Sequence, residues 1–274
     1  MKKIFNIFTI FVFALLAVRL SADPGETGAS FLNLSVGANS IGMGGAVTSL
    51  SSGVHALFWN PGGLGWLRGT EVTVMHAEHF QSIRYENLGI AHGSKTLGIG
   101  FSMQGVYLSG IEERTAPSEN PLSTFGAYFI TSSFSLGRSF TSNISFGTSI
   151  KLIYQSIAED DAFSFSNDIG LSAQGGVKGL KAGLTLINWG TKVKFENRSF
   201  SLPTKIKTGL SYSPINGNVI FGLDIVKPFN DDIEFCFGAQ GMVRDRFCLR
   251  AGYRSGFDSN GSFGGVTAGL GFKT

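Results

Sequence analysis

From about position 70 onward the chain alternates apolar and polar residues with a period of two, and this pattern constrains the fold more than any other feature. In 143–154, Ile144, Phe146, Thr148, Ile150, Leu152 and Tyr154 share one face, and Ser145, Gly147, Ser149 and Lys151 share the other. In 218–227, Val219, Phe221, Leu223 and Ile225 alternate with Asn218, Gly222 and Asp224. In 232–240, Ile233, Phe235, Phe237 and Ala239 oppose Asp232, Glu234, Cys236, Gly238 and Gln240. Similar segments recur near 70–79, 83–92, 95–107, 123–136, 163–174, 180–189, 204–213, 246–255 and 263–272. About a dozen strands result, most near the ~9–11 residues that a tilted strand needs to cross a bilayer.

The polar face is mild. Charged residues are 15 % of the chain, while Gly numbers 38 and Phe 25. A water-soluble sandwich usually carries a more highly charged outer face. In hydrocarbon, only helices and closed barrels satisfy every backbone N–H and C=O. After the N-terminus no second apolar run of about 20 residues occurs, which excludes a helical membrane protein. The expected fold is therefore all-β: a closed antiparallel transmembrane β-barrel of about 12–14 strands, spanning 67–274. With the N-terminus periplasmic, the long connections 109–121, 190–203 and 256–262 fall outside with 158–162 and 228–231, and the short turns fall inside.

Lys2 and Lys3, an apolar run over 4–18 and the small Ser21-Ala22 exit have the layout of a secretory signal peptide cleaved near Ala22. Export to an outer membrane follows, with its lipids as the surroundings. Residues 23–66 lack both periodicity and spanning length. Their many small residues cannot easily build a separate core, so a short, partly helical plug inside the barrel is expected. Asn60-Pro61 followed by two glycines is a strong turn signal.

Little here points to catalysis. No Ser lies in a G-x-S-x-G turn, and Gly42-x-Gly44 lacks the flanking strand and acidic residue of a dinucleotide site. Neither a cofactor nor a metal is expected; His76 and His79 fall on opposite faces by parity. The net charge of +3 is too small and scattered for nucleic acid. Parity puts Cys236 and Cys248 on the polar face of consecutive strands. A turn centred on Met242 would let them form a cross-strand disulfide, and a register one or two residues different would separate them. The same face holds Lys151, Lys205, Lys207, Asp224, Glu234, Arg246, Arg250 and Arg254. These form either a basic wall that guides an anionic head group or a set of ion pairs filling a narrow interior.

The stretches 28–32, 36–38 and 41–46 with Phe58-Trp59-Asn60-Pro61-Gly62-Gly63-Leu64 resemble the N-terminal signature of the PorV/PorQ-like branch of the FadL superfamily. Leu186-Ile187-Asn188-Trp189-Gly190 and Leu202-Pro203-Thr204 agree with it. The resemblance implies a barrel, typically of 14 strands, with an N-terminal hatch. Gly42, Gly44, Phe58, Trp59, Asn60 and Pro61 would then serve as plug and gate, with the Asn60-Pro61 turn as the fixed point. It implies passive uptake of hydrophobic or amphipathic small molecules such as long-chain fatty acids. A PorV-like role, binding cargo or components of a type IX secretion system, is the rival, and a purely structural barrel is a third reading.

Overall fold

The structure is a computed structural model that describes residues 27–79, 83–115, 117, 119–196, 198–215, 217–256 and 265–273. The expected signal peptide lies outside the described residues. Alternation is realised as β1 (Gly69–Glu78), β2 (Arg84–Ser94), β3 (Leu97–Glu113), β4 (Ser123–Ser139), β5 (Ile144–Ile157), β6 (Asp160–Gln174) and β7 (Leu180–Gly190). Two short strands follow, β8 (Val193–Phe195) and β9 (Arg198–Phe200). Then come β10 (Lys205–Ile215), β11 (Val219–Pro228), β12 (Glu234–Val243), β13 (Phe247–Arg254) and β14 (Val266–Phe272).

Twelve of these form one antiparallel sheet in the order β1 to β7, then β10 to β14, so each strand pairs with its neighbours in sequence. β8 and β9 form a separate two-stranded sheet between β7 and β10 and add nothing to the main one. Each of the dozen segments read from the sequence is thus a strand of the main sheet. The expected closure is not among the strand pairings. Among the described residues no ladder joins β14 to β1, and each pairs on one side only.

Register partners share a face, so the side-chain alternation continues across the sheet. Phe101 pairs with Phe134, and Phe134 with Ile150, on the outer face. Leu223 pairs with Phe237, and Phe237 with Tyr253, on the same face farther round. Large apolar groups stand uncovered there: Val74 is 72 % exposed, Phe134 57 % and Leu270 81 %. The opposite face is buried and bears small polar residues. Ser102 and Ser133 share a 2.6 Å hydrogen bond, as do Ser135 and Ser149. A sheet that buries serine and exposes phenylalanine inverts the pattern of a protein folded in water.

The turns 95–96, 140–143, 175–179, 217–218 and 244–246 lie at one end. The long connections 114–122, 191–204 and 255–265 lie at the other end, where 158–159 is a tight turn rather than the longer loop expected. The 109–121 loop is also shorter than expected. β3 and β4 continue pairing to Glu113 and Ser123 past an irregularity between Leu108 and Ile111.

Residues 29–66 lie against the inner face. Ala29, Phe31 and Val36 form an apolar cluster with Tyr85, Val106, Ile153 and Val193 toward the long-connection end, and Phe31 stacks on Phe129 at 5.4 Å. Gly28 N–H donates to Ser201 O at 2.9 Å, tying the start of the segment to the connection that carries β8 and β9. A helical turn, Ala38–Gly42, then rests on β13 and β14, and a second, Ala56–Trp59, follows farther on. A 3₁₀ stretch, Pro61–Trp66, crosses β3 to β6 near the short-turn end. Pro at its first position and Asn60 as N-cap set its start: Asn60 Oδ1 accepts from Gly62 N–H at 3.0 Å.

Candidate ligand-binding cavity

Bare wall glycines let the N-terminal segment approach the sheet backbone. Gly44 has φ +63, and a Cβ there would stand 2.6 Å from Tyr253 N. Gly42 lies against Gly269, and Thr267 Oγ1 donates to Gly42 O at 3.3 Å. Phe58 covers Gly89. Trp59 Nε1–H donates to Val36 O at 2.9 Å, linking two parts of the segment. Asn60 is fully buried, and its Nδ2 donates to Thr48 O at 3.0 Å and to Leu171 O at 3.1 Å. Pro61 O fits against Gly147 and Gly137. Replacing that contact by a side chain would force backbone apart.

Above this lies a cavity of about 40 Å³ bounded by Asn33, Phe58, Trp59, Lys151, Asn188, Lys205, Lys207, Cys236 and Arg254 among others. Its charges are organised. Lys151 pairs with Asp168 at 2.7 Å and donates to Asn188 Oδ1 at 2.9 Å. Asn188 has φ +58 beside the irregularity between β6 and β7, and its N–H donates to Asp168 Oδ1 at 2.8 Å. Lys207 stands 3.9 Å from Asp224 and 4.3 Å from the centroid of the Trp59 ring. Arg254 pairs with Glu234 at 2.7 Å. Lys205 donates to Asn33 Oδ1 at 2.8 Å, and among the described residues it makes no ion pair.

Four of the eight charged residues proposed from the sequence, Lys151, Lys205, Lys207 and Arg254, border this space, and Asp224 and Glu234 pair with two of them. Arg250 lies elsewhere on the inner face and donates to Gln240 at 2.8 Å. Arg246 is a correction, because it sits exposed in the 244–246 turn instead of on the wall.

The two cysteines are a second correction. Both are free; Cys236 pairs with Arg254 and Cys248 with Met242. Arg244 and Asp245 adopt positive φ and centre the turn on Asp245, three residues beyond the Met242 centre that a bond would need. Sequence reading also passed over Asp168, Asn188 and Thr48. Asp168 is legible only as an inner-face residue of β6 by parity; its register partner is Ser149, diagonal to Lys151. The left-handed Asn188 is not legible.

His55 is half-buried at the end of a 3₁₀ turn, Gly53–His55, that rests on β1 and β2. Burial holds its imidazole below the ordinary value of 6.5; Glu71 of β1 opposes that shift and Arg250 of β13 adds to it. Glu71 also accepts from Val54 N–H at 2.8 Å. The His76 imidazole meets Glu86 at 2.7 Å on the exposed face.

Known structures share this fold, a continuous antiparallel meander that is apolar on one face and covered on the other by its own N-terminal segment. The Pseudomonas putida toluene transporter TodX matches with a TM-score of 0.58 and 15 % identity, covering 80 % of this chain and 83 % of TodX. The Ralstonia pickettii toluene transporter TbuX matches at 0.57 and 12 %, over 86 % and 88 %. A Pseudomonas aeruginosa FadL homologue matches at 0.53 and 10 %, over 86 % and 81 %. The FadL part of the sequence resemblance thus holds at the level of fold, whereas its PorV-like branch finds no counterpart in these three. No curated protein sequence matches the chain. Residues 21–233 match an uncharacterised protein family, UPF0164, and the chain belongs to that family.

Proposed function

We propose that this protein is an outer-membrane barrel that passively conducts hydrophobic or amphipathic small molecules, with long-chain fatty acids as the representative substrate. Residues 1–22 serve as its cleaved signal peptide, 23–66 as its plug and 67–274 as its barrel. The observation that carries the reading is the inverted sheet: an outer belt of Phe, Leu, Ile and Val around a plugged, polar and cationic interior. Backbone groups on the free edges of β1 and β14 would each cost several kcal/mol in hydrocarbon, so in a bilayer those edges pair and the sheet closes. The hydrocarbon channels that share the fold support passage of an apolar molecule. The unpaired Lys205 supports a molecule that also carries an anionic end.

Trp59 reports on the cavity because Lys207 sits over its ring. In protein whose Trp66 and Trp189 are replaced by Phe, oleate should change Trp59 emission saturably, and Lys205→Gln should weaken that binding about tenfold, the scale of one charge-assisted hydrogen bond. Folded protein with no saturable response to oleate would remove the fatty-acid reading.

A further inference from the structure

Three cavities stand in line along the inner face of β7, β10, β11 and β12. The first, about 160 Å³, opens at the long-connection end beside Pro228 and Glu234. It shares Lys205 and Arg254 with the middle cavity of about 40 Å³ already described. The third, about 280 Å³, lies at the short-turn end beside Lys181, Ser211 and Ile220. Gly45 borders the middle cavity and Leu50 borders the third, so residues 46–49 are what separates them.

Those four residues are buried against wall positions occupied by glycine. Thr48 O meets the position of a Cβ on Gly183, and Ala46 O stands 2.6 Å from one on Gly222. Asn60 Nδ2 holds Thr48 O, and one carboxylate holds the N–H groups of Val47 and Thr48. Asp224, fully buried, accepts from Val47 N–H at 3.1 Å, Thr48 N–H at 2.9 Å and Thr48 Oγ1–H at 2.6 Å. Its partner cation, Lys207, borders the middle cavity.

We propose that residues 46–49 are the constriction of the conduit and that Asp224 is the latch keeping it shut, weakened when an anionic head group in the middle cavity draws Lys207 away. The inference rests on the conduit reading and narrows the gate from the whole plug to one clasp. A buried carboxylate that loses its cation is destabilised, and each lost hydrogen bond to a charged group weakens the closed state by about tenfold. The Asn60-Pro61 turn is held to β4, β5 and β6 by contacts that involve neither Lys207 nor Asp224, and its bond to Thr48 O is the one link to the clasp that opening must break.

The test uses the full protein in lipid vesicles loaded with a fluorescent alkylsulfonate, an anion that crosses protein-free bilayers poorly. Asp224→Asn and Thr48→Val should each speed efflux roughly tenfold over wild type, the scale of one hydrogen bond to a charged group. A Thr48→Cys/Asp224→Cys protein, with Cys236 and Cys248 changed to Ser, should leak when reduced and fall to the protein-free rate once its disulfide is verified by mass spectrometry. Efflux unchanged by Asp224→Asn and Thr48→Val in folded protein, or continuing through the verified disulfide, overturns the latch while leaving the conduit standing. No efflux from any folded protein, the reduced pair included, overturns the conduit itself.

Discussion

Lys151 depends on Asp168 more than on any other group, because both side chains are nearly inaccessible to solvent. Removing one partner of such a pair costs about 3–5 kcal/mol, since the other charge stays buried and uncompensated. Asp168→Ala should therefore lower the temperature of thermal unfolding, followed by the loss of β-sheet circular dichroism, and Asp168→Asn should do so less. His55 gives a pH signature. Its imidazole is harder to protonate in the fold than in the unfolded chain, where its value is near 6.5. Stability should be flat above about pH 7 and fall as the pH drops through 6.5 toward the lower folded value. The same thermal transition measured against pH should show that fall, and His55→Gln should flatten it. Parity made the lysines, Asp224, Glu234 and Arg254 legible from sequence, because inner and outer faces alternate around those positions. Arg246 and the cysteines were misplaced for one reason: the turn centre at Asp245 depends on two non-glycine residues with positive φ, which composition does not announce.

The plug is the element whose contacts are least replaceable. Asn60 holds it through two donated bonds to Thr48 and Leu171 and one accepted from Gly62. At about 0.5–1.5 kcal/mol for each bond, Asn60→Ala should cost the plug roughly 2–4 kcal/mol of attachment. Limited proteolysis should then cut within the plug while the strands stay intact; an unchanged cleavage pattern would mean that wall packing alone retains it. The strands were legible in place and order, since a period of two over ten residues admits few registers, but their ends were not: β3 runs to Glu113 against an expected 107. The Asn60-Pro61 turn was legible as a turn. What the plug touches was not, because glycines that admit a backbone at Gly183 or Gly222 look in sequence like any other glycine in a strand.

At the scale of the molecule, the account stands on two faces of one sheet meeting different surroundings. The outer face of β5 carries Phe146, Ile150 and Leu152, and its inner face carries Ser145, Ser149 and Ile153, all three essentially buried. Composition foretold this inversion through scarce charge and abundant Phe, but it could not say whether the first and last strands meet. A spin label placed in turn at positions 145 to 153 in vesicle-reconstituted protein measures it directly. The account predicts high collision rates with oxygen dissolved in lipid at 146, 150 and 152, alternating with low rates at 145, 149 and 153. Outward positions as accessible to a water-borne nickel chelate as to oxygen, or no alternation at all, would contradict it.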